Sequence, residues 1–286
     1  MSIKAAFIGL GAMGAPMAGH LHAKGLLVAV GNRTQARADE LATELGVAAP
    51  GLAGIAASAD VIALCVSADA DVISVVQALA PSLKKGSIVV DHSTVAPATA
   101  KRAARILAEV GSDFLDAPVS GGVEGAKNGK LSVMVGGDAA VLERARPVLE
   151  AYGARVTHMG PVGSGQATKA VNQVLVAGIA HAVTEGLALG EALGLEADRL
   201  IPTLAAGAAG NWFLDKRGAT MLKNEFSVGF KLALLHKDLK IVRELAAAAG
   251  TDRSVIDKSL ADYAALLAQG YGDEDISALI RLKRKA

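Results

Sequence analysis

AFIGLGAMGAPMAGHL, residues 6 to 21, sets Gly9, Gly11 and Gly14 behind a short apolar run that opens the chain. Ile3 to Ile8 reads as a strand that breaks into a helix through G-x-G-x-x-G, a turn whose free backbone N–H groups at a helix N-terminus suit a pyrophosphate. Gly9 permits the tight turn, Gly11 withholds the Cβ that would block a phosphate, and Gly14 lets the helix pack close to the strand. Leu10, Ala12 and Met13 complete the loop as cofactor-binding candidates. A Gly-rich turn with no ligand has the same six residues, so the rest of the chain must decide.

The first half alternates short β-branched runs with helical segments, the pattern of a parallel sheet wrapped by helices. Strands are expected at Ala5 to Ile8, Leu27 to Val30, Val61 to Val66, Ile88 to Asp91, Phe114 to Ala117, Ser132 to Val135 and Arg155 to His158. Helices are expected at Ala15 to Ala23, Thr34 to Leu45 and Ala70 to Leu79. The period changes near Gly163, and from Ser164 onward only helices are expected, the first running from Gln166 to about Leu193. The fold class is therefore α/β: a Rossmann-type doubly wound parallel sheet over residues 1–162, followed by an all-α second domain over 163–286 for substrate binding and oligomerisation.

The composition is 52% hydrophobic and only 3% aromatic, which favours closely packed helices over disorder or a base-stacking platform. A formal net charge of +1 gives no global field for nucleic acid or an acidic membrane, so no partner of either kind is expected. The basic end RLKRKA reads as a solvated tail. Cys65, the single cysteine, lies in the apolar run VIALCV and reads as a buried thiol in a reducing compartment. No charged segment leads into an apolar leader, so the expected location is the cytoplasm. The apolar stretch Val174 to Leu195 is broken by His181, Thr184, Glu185 and Glu191, which favours a buried helix over a membrane span.

In a dinucleotide fold the second strand ends about 20 residues after the glycines in an acid for the adenosine ribose. Here LLVAV ends in Gly31-Asn32-Arg33-Thr34, with no carboxylate. Arg33 and Thr34, with Asn32, stand where a 2′-phosphate would lie, which favours NADP over NAD. Further strand ends fall at Cys65-Val66-Ser67 and Asp91-His92-Ser93-Thr94, adding Val66, Ser67 and Thr94 to the cofactor candidates. Thr94 either bonds the nicotinamide ribose or caps a helix beginning near Pro97.

DAPVSGGVEGAKNGKLSVMVGG, residues 116 to 137, places Ser120, Gly121 and Gly122 just past a strand's end, where a hydroxyl and successive N–H groups suit a carboxylate. GPVGSGQATKAVNQ, residues 160 to 173, puts Lys169 and Asn172 on one face of a helix otherwise built of Ala, Val, Leu and Gly. A lysine there must snorkel, pair or do chemistry, because an unpaired buried ammonium is costly.

Together GLGAMGAPMAGHL, DAPVSGGVEGAKNGKL, GPVGSGQATKAVNQ and HKDL, in this order and spacing, resemble the β-hydroxyacid dehydrogenase family over essentially the whole chain. The likeness is greatest to the 3-hydroxyisobutyrate dehydrogenase branch. That resemblance implies a nicotinamide-dependent oxidoreductase acting on a small carboxylate, with Ser120, Gly121 and Gly122 holding the carboxylate. It makes Lys169 catalytic, with Asn172 beside it orienting the substrate. Lys237 of HKDL then lies near the cofactor, held by a salt bridge to Asp238. A tartronate semialdehyde or glyoxylate-type reductase differs only in pocket side chains. A non-catalytic dinucleotide-binding module would keep the glycines but has no use for Lys169, Asn172 and the carboxylate nest together. CVSADADV lacks the proline common in the family, and His92 fills the variable position of D-x-S-T, away from the implied chemistry.

His20 and His22 read as surface residues of the first helix, His158 as near the domain junction, and His181 as a satisfied helix residue with no metal set around it. Trp212, Phe213 and Phe230 either shape the pocket or belong to the core. The helix from Gln166 to Leu193 carries apolar residues on nearly every face. Either a symmetric partner covers it, approaching at Ala177, Gly178, Ala180, Gly186 and Gly190, or Leu200 to Leu204 and the helices Leu232 to Ala249 and Ser254 to Ala268 wrap it within one chain. A homo-oligomer, dimer or tetramer, is the expectation.

Overall fold

The computed structural model describes residues 3–284 and divides into two compact units, Met1–Lys169 and Ala170–Ala286. In the first, the chain runs β1 (Ala5–Ile8), α1 (Gly14–Ala23), β2 (Leu27–Gly31), α2 (Gln35–Leu45), α3 (Gly51–Ser58), β3 (Val61–Leu64), α4 (Asp69–Leu79) and β4 (Ile88–Asp91). It continues through α5 (Pro97–Ala108), β5 (Asp113–Asp116), β6 (Val119–Ser120), α6 (Gly122–Lys127), β7 (Leu131–Gly136), α7 (Ala139–Leu149) and β8 (Gly153–Gly160). These strands form one sheet in the order β2-β1-β3-β4-β5-β7-β6, with β8 paired to β7.

From β2 to β5 every pairing is parallel, and β1, β3 and β4 are buried along their whole length. Such strands read as continuous apolar runs because helices cover both faces. Alternate residues feed two cores: Phe7, Val61, Ala63 and Val90 pack with Met17 and Leu21 of α1, whereas Ile8, Ile62, Leu64 and Val89 pack with Val72 and Val76 of α4 and Ala103 of α5. The far edge departs from the expected all-parallel sheet, since β5 and β6 both pair antiparallel with β7. The six-residue α6 between β6 and β7 is too short for the crossover a parallel pair requires. Strand β3 also stops at Leu64, short of Val66, because the Val66 N–H leaves the ladder for the Ser93 hydroxyl at 2.9 Å.

The long helix α8 (Ser164–Ala192) contributes its first turn to the first unit and the rest to the second. Its start is fixed there because the Asp116 carboxylate accepts from the Gly163 and Gln166 N–H groups at 2.7 and 2.9 Å, while the Gln166 side chain bonds Val95 N and Ser93 O. The compact unit therefore ends at Lys169, later than the change of period at Gly163.

Beyond it lie α9 (Ala197–Ala205), α10 (Trp212–Leu222), α11 (Leu232–Ala249) and α12 (Ser254–Ala268), with no strand among the described residues beyond a single bridge between Lys231 and Asp275. Ala177, Ala180 and Leu187 of α8 join Phe213, Leu214, Leu235, Leu239, Tyr263 and Leu266 in the core of this second unit. Among the described helices α8 alone is long and apolar enough to cross a membrane, yet this face is core. Ala177 and Ala180 are thus used up inside the unit, and Gly190 meets Leu200 of α9, where a Cβ would come within 2.6 Å. The opposite face is apolar and exposed at Val171, Leu175, Leu189 and Leu193, which recur at helical spacing along one stripe.

Candidate active site

The loop after β1 shows three glycines with three different duties. Gly9 has φ +94°, and a Cβ there would overlap the Cys65 carbonyl; a Cβ on Gly14 would overlap the Gly9 carbonyl. These two are demanded by the fold. A Cβ on Gly11 would meet nothing within 4 Å, so its bareness serves something outside the protein's own packing. The Asn32 side chain braces the loop, its Oδ1 accepting from Leu10 N–H at 3.1 Å while its Nδ2 donates to Thr34 O at 3.1 Å. Ala12 is exposed, Met13 is half-buried at the N-cap of α1, and Thr34 is the N-cap of α2. Backbone turned outward at a helix start, with open space at the middle glycine, fits a dinucleotide pyrophosphate. Arg33 is 90% exposed, with Nη1 3.4 Å from the Asp71 carboxylate.

The next strand ends are tied to each other by side chains that bond backbone. Ser93 Oγ accepts from Val66 N–H, and the Ser93 N–H donates to Asp91 Oδ1 at 2.9 Å. Ser67 is exposed and Thr94 half-buried. The N-cap of α5 is Ala96, and Asp69 serves the helix start, accepting from Ala96 N–H and the Thr99 hydroxyl. Asp91 is fully buried with Oδ2 lacking a hydrogen-bond partner, and burial pushes its carboxyl up to about 7. Burial likewise raises Asp116.

His92 is buried in the same edge. Its Nδ1 lies 2.7 Å from Ala117 O and its Nε2 2.7 Å from the Tyr152 hydroxyl, so Nδ1–H donates and Nε2 accepts. Its ring stacks on Phe7 at 6.4 Å, and burial holds it neutral by lowering its pKa to about 4. His92 bonds none of the expected site residues and ties down Ala117, where the segment leading to Ser120 begins.

That segment carries Gly121 at φ +133° and Gly122 at φ +61°, opening α6. Lys169, only 8% exposed, donates from Nζ to Val119 O at 2.7 Å. Lys169 and the Ser120–Gly122 turn are thus brought together within the first unit.

In the second unit a chain of side chains joins Asn172 to Lys237. Asn172 Nδ2 donates to Gln173 Oε1 at 2.8 Å, Gln173 Nε2 donates to Asp238 Oδ2 at 2.6 Å, and Asp238 Oδ1 pairs with Lys237 Nζ at 3.0 Å. The ion pair with Asp238 is as expected. Phe213 is core and Trp212 exposed beside Arg217. His181 is less satisfied than expected: Nδ1 stands 3.8 Å from Asp262, and the buried Nε2 lacks a hydrogen-bond partner. His20 is half-buried, its Nε2 against Ala126 O and Lys127 O, and His158 bonds Gly137 O. Cys65 is half-buried, not buried.

Gln166, Gln173 and Asp116 escaped the sequence reading, although each lies inside a quoted motif. Their signal was a polar residue on an apolar stretch, the same signal that exposed Lys169. Asp71 left no such trace, because an acid in a helix's first turn is ordinary.

Residues 4–160 match the model of the NAD binding domain of 6-phosphogluconate dehydrogenase, and residues 163–283 match that of the NAD-binding domain of NADP-dependent 3-hydroxyisobutyrate dehydrogenase. An NAD-dependent L-serine dehydrogenase of Pseudomonas aeruginosa is 37% identical over 97% of this chain and 96% of its own. A 2-hydroxy-3-oxopropionate reductase of Escherichia coli is 39% identical over 86% and 85%. The structure of a Mycobacterium tuberculosis 3-hydroxyisobutyrate dehydrogenase with L-serine superposes with TM-score 0.88 at 32% identity, covering all of both chains.

Proposed function

This chain belongs to the β-hydroxyacid dehydrogenase family and is an NAD(P)-dependent oxidoreductase, and within that family we propose that it interconverts a short 3-hydroxy acid and its semialdehyde, most like 3-hydroxyisobutyrate dehydrogenase. The observation that carries the reading is the Lys169 ammonium against Val119 O, next to the Ser120–Gly122 turn. Ser120, Gly121 and Gly122 bind the substrate carboxylate through hydroxyl and N–H donors. Lys169 gives its proton to the carbonyl oxygen in reduction and, as the amine, takes one from the hydroxyl in oxidation. The Val119 carbonyl holds Nζ in place for this, and Asn172, one helical turn on, orients the same oxygen. The nicotinamide, when bound, supplies or receives the hydride.

Gly9, Leu10, Gly11, Ala12, Met13 and Gly14 would hold the dinucleotide, with Asn32, Arg33 and Thr34 at the adenosine ribose and Val66, Ser67, Thr94 and Lys237 along its remaining length. NADP is the preferred cofactor on the strength of Arg33 and Thr34, because the end of β2, Gly31 to Thr34, carries no acid of its own to take a ribose hydroxyl. A charge-assisted contact contributes about 1.5 to 3 kcal/mol, so the preference is roughly tenfold to a hundredfold, and Arg33→Ala erases most of it. Equal kcat/KM for NADP and NAD in the intact protein would refute it.

A second reading, a 2-hydroxy-3-oxopropionate (tartronate semialdehyde) or glyoxylate-type reductase, is favoured by the E. coli relative. L-serine, 2-hydroxy-3-oxopropionate and 3-hydroxyisobutyrate share a carboxylate and an oxygen at C3 and differ at C2, so a panel of C2-substituted acids with both cofactors separates these readings. Highest kcat/KM for 3-hydroxyisobutyrate supports the first; activity confined to the 2-hydroxy or 2-amino acid overturns it. We assign dinucleotide binding to residues 1–162, which also lend Ser120–Gly122 to the carboxylate, and the rest of substrate binding and self-association to 163–286, with the exposed apolar stripe of α8 as the face of a dimer or tetramer. With Cys65 as its one cysteine the chain has no use for a disulfide of its own, which supports a cytoplasmic location.

A further inference from the structure

The loops after β2 and β3 flank the glycine loop, because β1 lies between β2 and β3 in the sheet. Arg33 follows β2, and Asp71 stands in the first turn of α4 just after β3, so their 3.4 Å ion pair reaches from one flank of the cofactor loop to the other. The two acids of that turn have separate duties. Asp69 is taken up by α5, whose Ala96 N–H and Thr99 hydroxyl it accepts, while Asp71 points to the guanidinium.

We propose that Asp71 is a second determinant of cofactor selectivity, one that opposes NADP by occupying Arg33 and by placing a negative charge beside the 2′-phosphate. The inference rests on the reading of Arg33 as the 2′-phosphate contact. A phosphate arriving at Arg33 competes with the carboxylate for one guanidinium and is also repelled by it. NAD, with a neutral 2′-hydroxyl, meets neither obstacle. Asp71 thereby narrows a preference that Arg33 alone would make wide, leaving an enzyme able to use both cofactors.

Fluorescence titration of the intact protein and its variants with NADPH and NADH, at low and high salt, tests this apart from turnover. In Asp71→Asn the NADPH dissociation constant falls about two- to fivefold at low salt, the upper range for one exposed charge pair, and the NADH value stays within twofold. The gain shrinks as salt screens it. In an Arg33→Ala background the gain from Asp71→Asn is smaller, since one of its two causes is gone. Equal changes for both cofactors, or no change for NADPH, overturn the role of Asp71 while Arg33→Ala still narrows the gap. An NADPH to NADH ratio unmoved by Arg33→Ala alone overturns the parent reading instead.

Discussion

The first unit fixes its strand ends and the start of α8 by side chains that bond backbone, whereas the second joins Asn172 to Lys237 by side chains that bond one another. Asn32, His92, Asp116, Gln166 and Lys169 each clamp a main-chain N–H or C=O, which fixes where a loop runs. Asn172, Gln173, Asp238 and Lys237 instead form a hydrogen-bonded relay that ends in an ion pair. A clamp fails when its geometry changes. A relay fails when its charge or its sequence of donors and acceptors changes.

The hardest blow to the comparison would come from Lys169, which is both clamp and proposed acid. Lys169→Ala lowers kcat by about two to four orders of magnitude, the range for losing a positioned general acid, and leaves cofactor affinity nearly unchanged. Near-normal turnover in that variant means the proton comes from another group. A smaller effect separates backbone duty from ligand duty within one loop. Gly9→Ala destabilises the protein by about 2 to 4 kcal/mol, through left-handed strain and overlap with the Cys65 carbonyl, as read by urea denaturation. Gly11→Ala leaves stability unchanged and weakens dinucleotide binding. If both variants unfold alike, the space beside Gly11 is not a cradle.

The parallel sheet and the long helix were legible because strands buried on both faces and helices of strict period leave unmistakable runs; Leu232–Ala249 and Ser254–Ala268 were expected with the observed bounds. The antiparallel edge was not, since a two-residue strand at Val119–Ser120 has no period to detect. Of the site, the residues that stand out against their surroundings were readable: glycines in a turn, Lys169 in an apolar helix. The residues that hold them were not. Asp116 and Gln166 act across distances along the chain that pattern cannot reveal, and Ala177, Ala180 and Gly190 look alike in sequence to a partner-facing stripe while serving the unit's own core.

The relay is broken more gently. Asp238 is nearly buried and serves two donors, Gln173 Nε2 and Lys237 Nζ, from its two oxygens. Asparagine keeps a single acceptor oxygen and turns an amide toward whichever donor remains. Lys237 is partly exposed and retains water, so the loss is less than that of a fully buried pair. Asp238→Asn lowers kcat/KM about tenfold, close to 1.4 kcal/mol, with most of the change in cofactor KM. An unaltered cofactor KM would leave the relay a packing feature of the helices.

The smallest effect is a slope, and it reads the clamp side of the comparison through His92. This imidazole has an ordinary value of about 6.5 when unfolded, and burial lowers it to about 4 in the native protein against the opposing effect of its bond to Ala117 O. Between those values the unfolded chain binds the extra proton, so this contribution to stability rises with pH from about 4 to 6.5, is fully present above 6.5, and is lost as pH falls toward 4. Its neighbour Asp91 runs the other way, because a carboxyl raised to about 7 binds its proton in the native state, so stability declines as pH rises from about 4 to 7. In the intact protein the two slopes oppose each other across their common window. His92→Asn, which retains a side-chain N–H for Ala117 O, removes only the histidine slope. The stability advantage of the intact protein over this variant, measured by urea denaturation, should therefore grow by about 1 kcal/mol per pH unit from pH 4.5 to 6 and level off above pH 6.5. A difference independent of pH would mean that His92 is solvated in the native state and that the segment before Ser120 is held by something else.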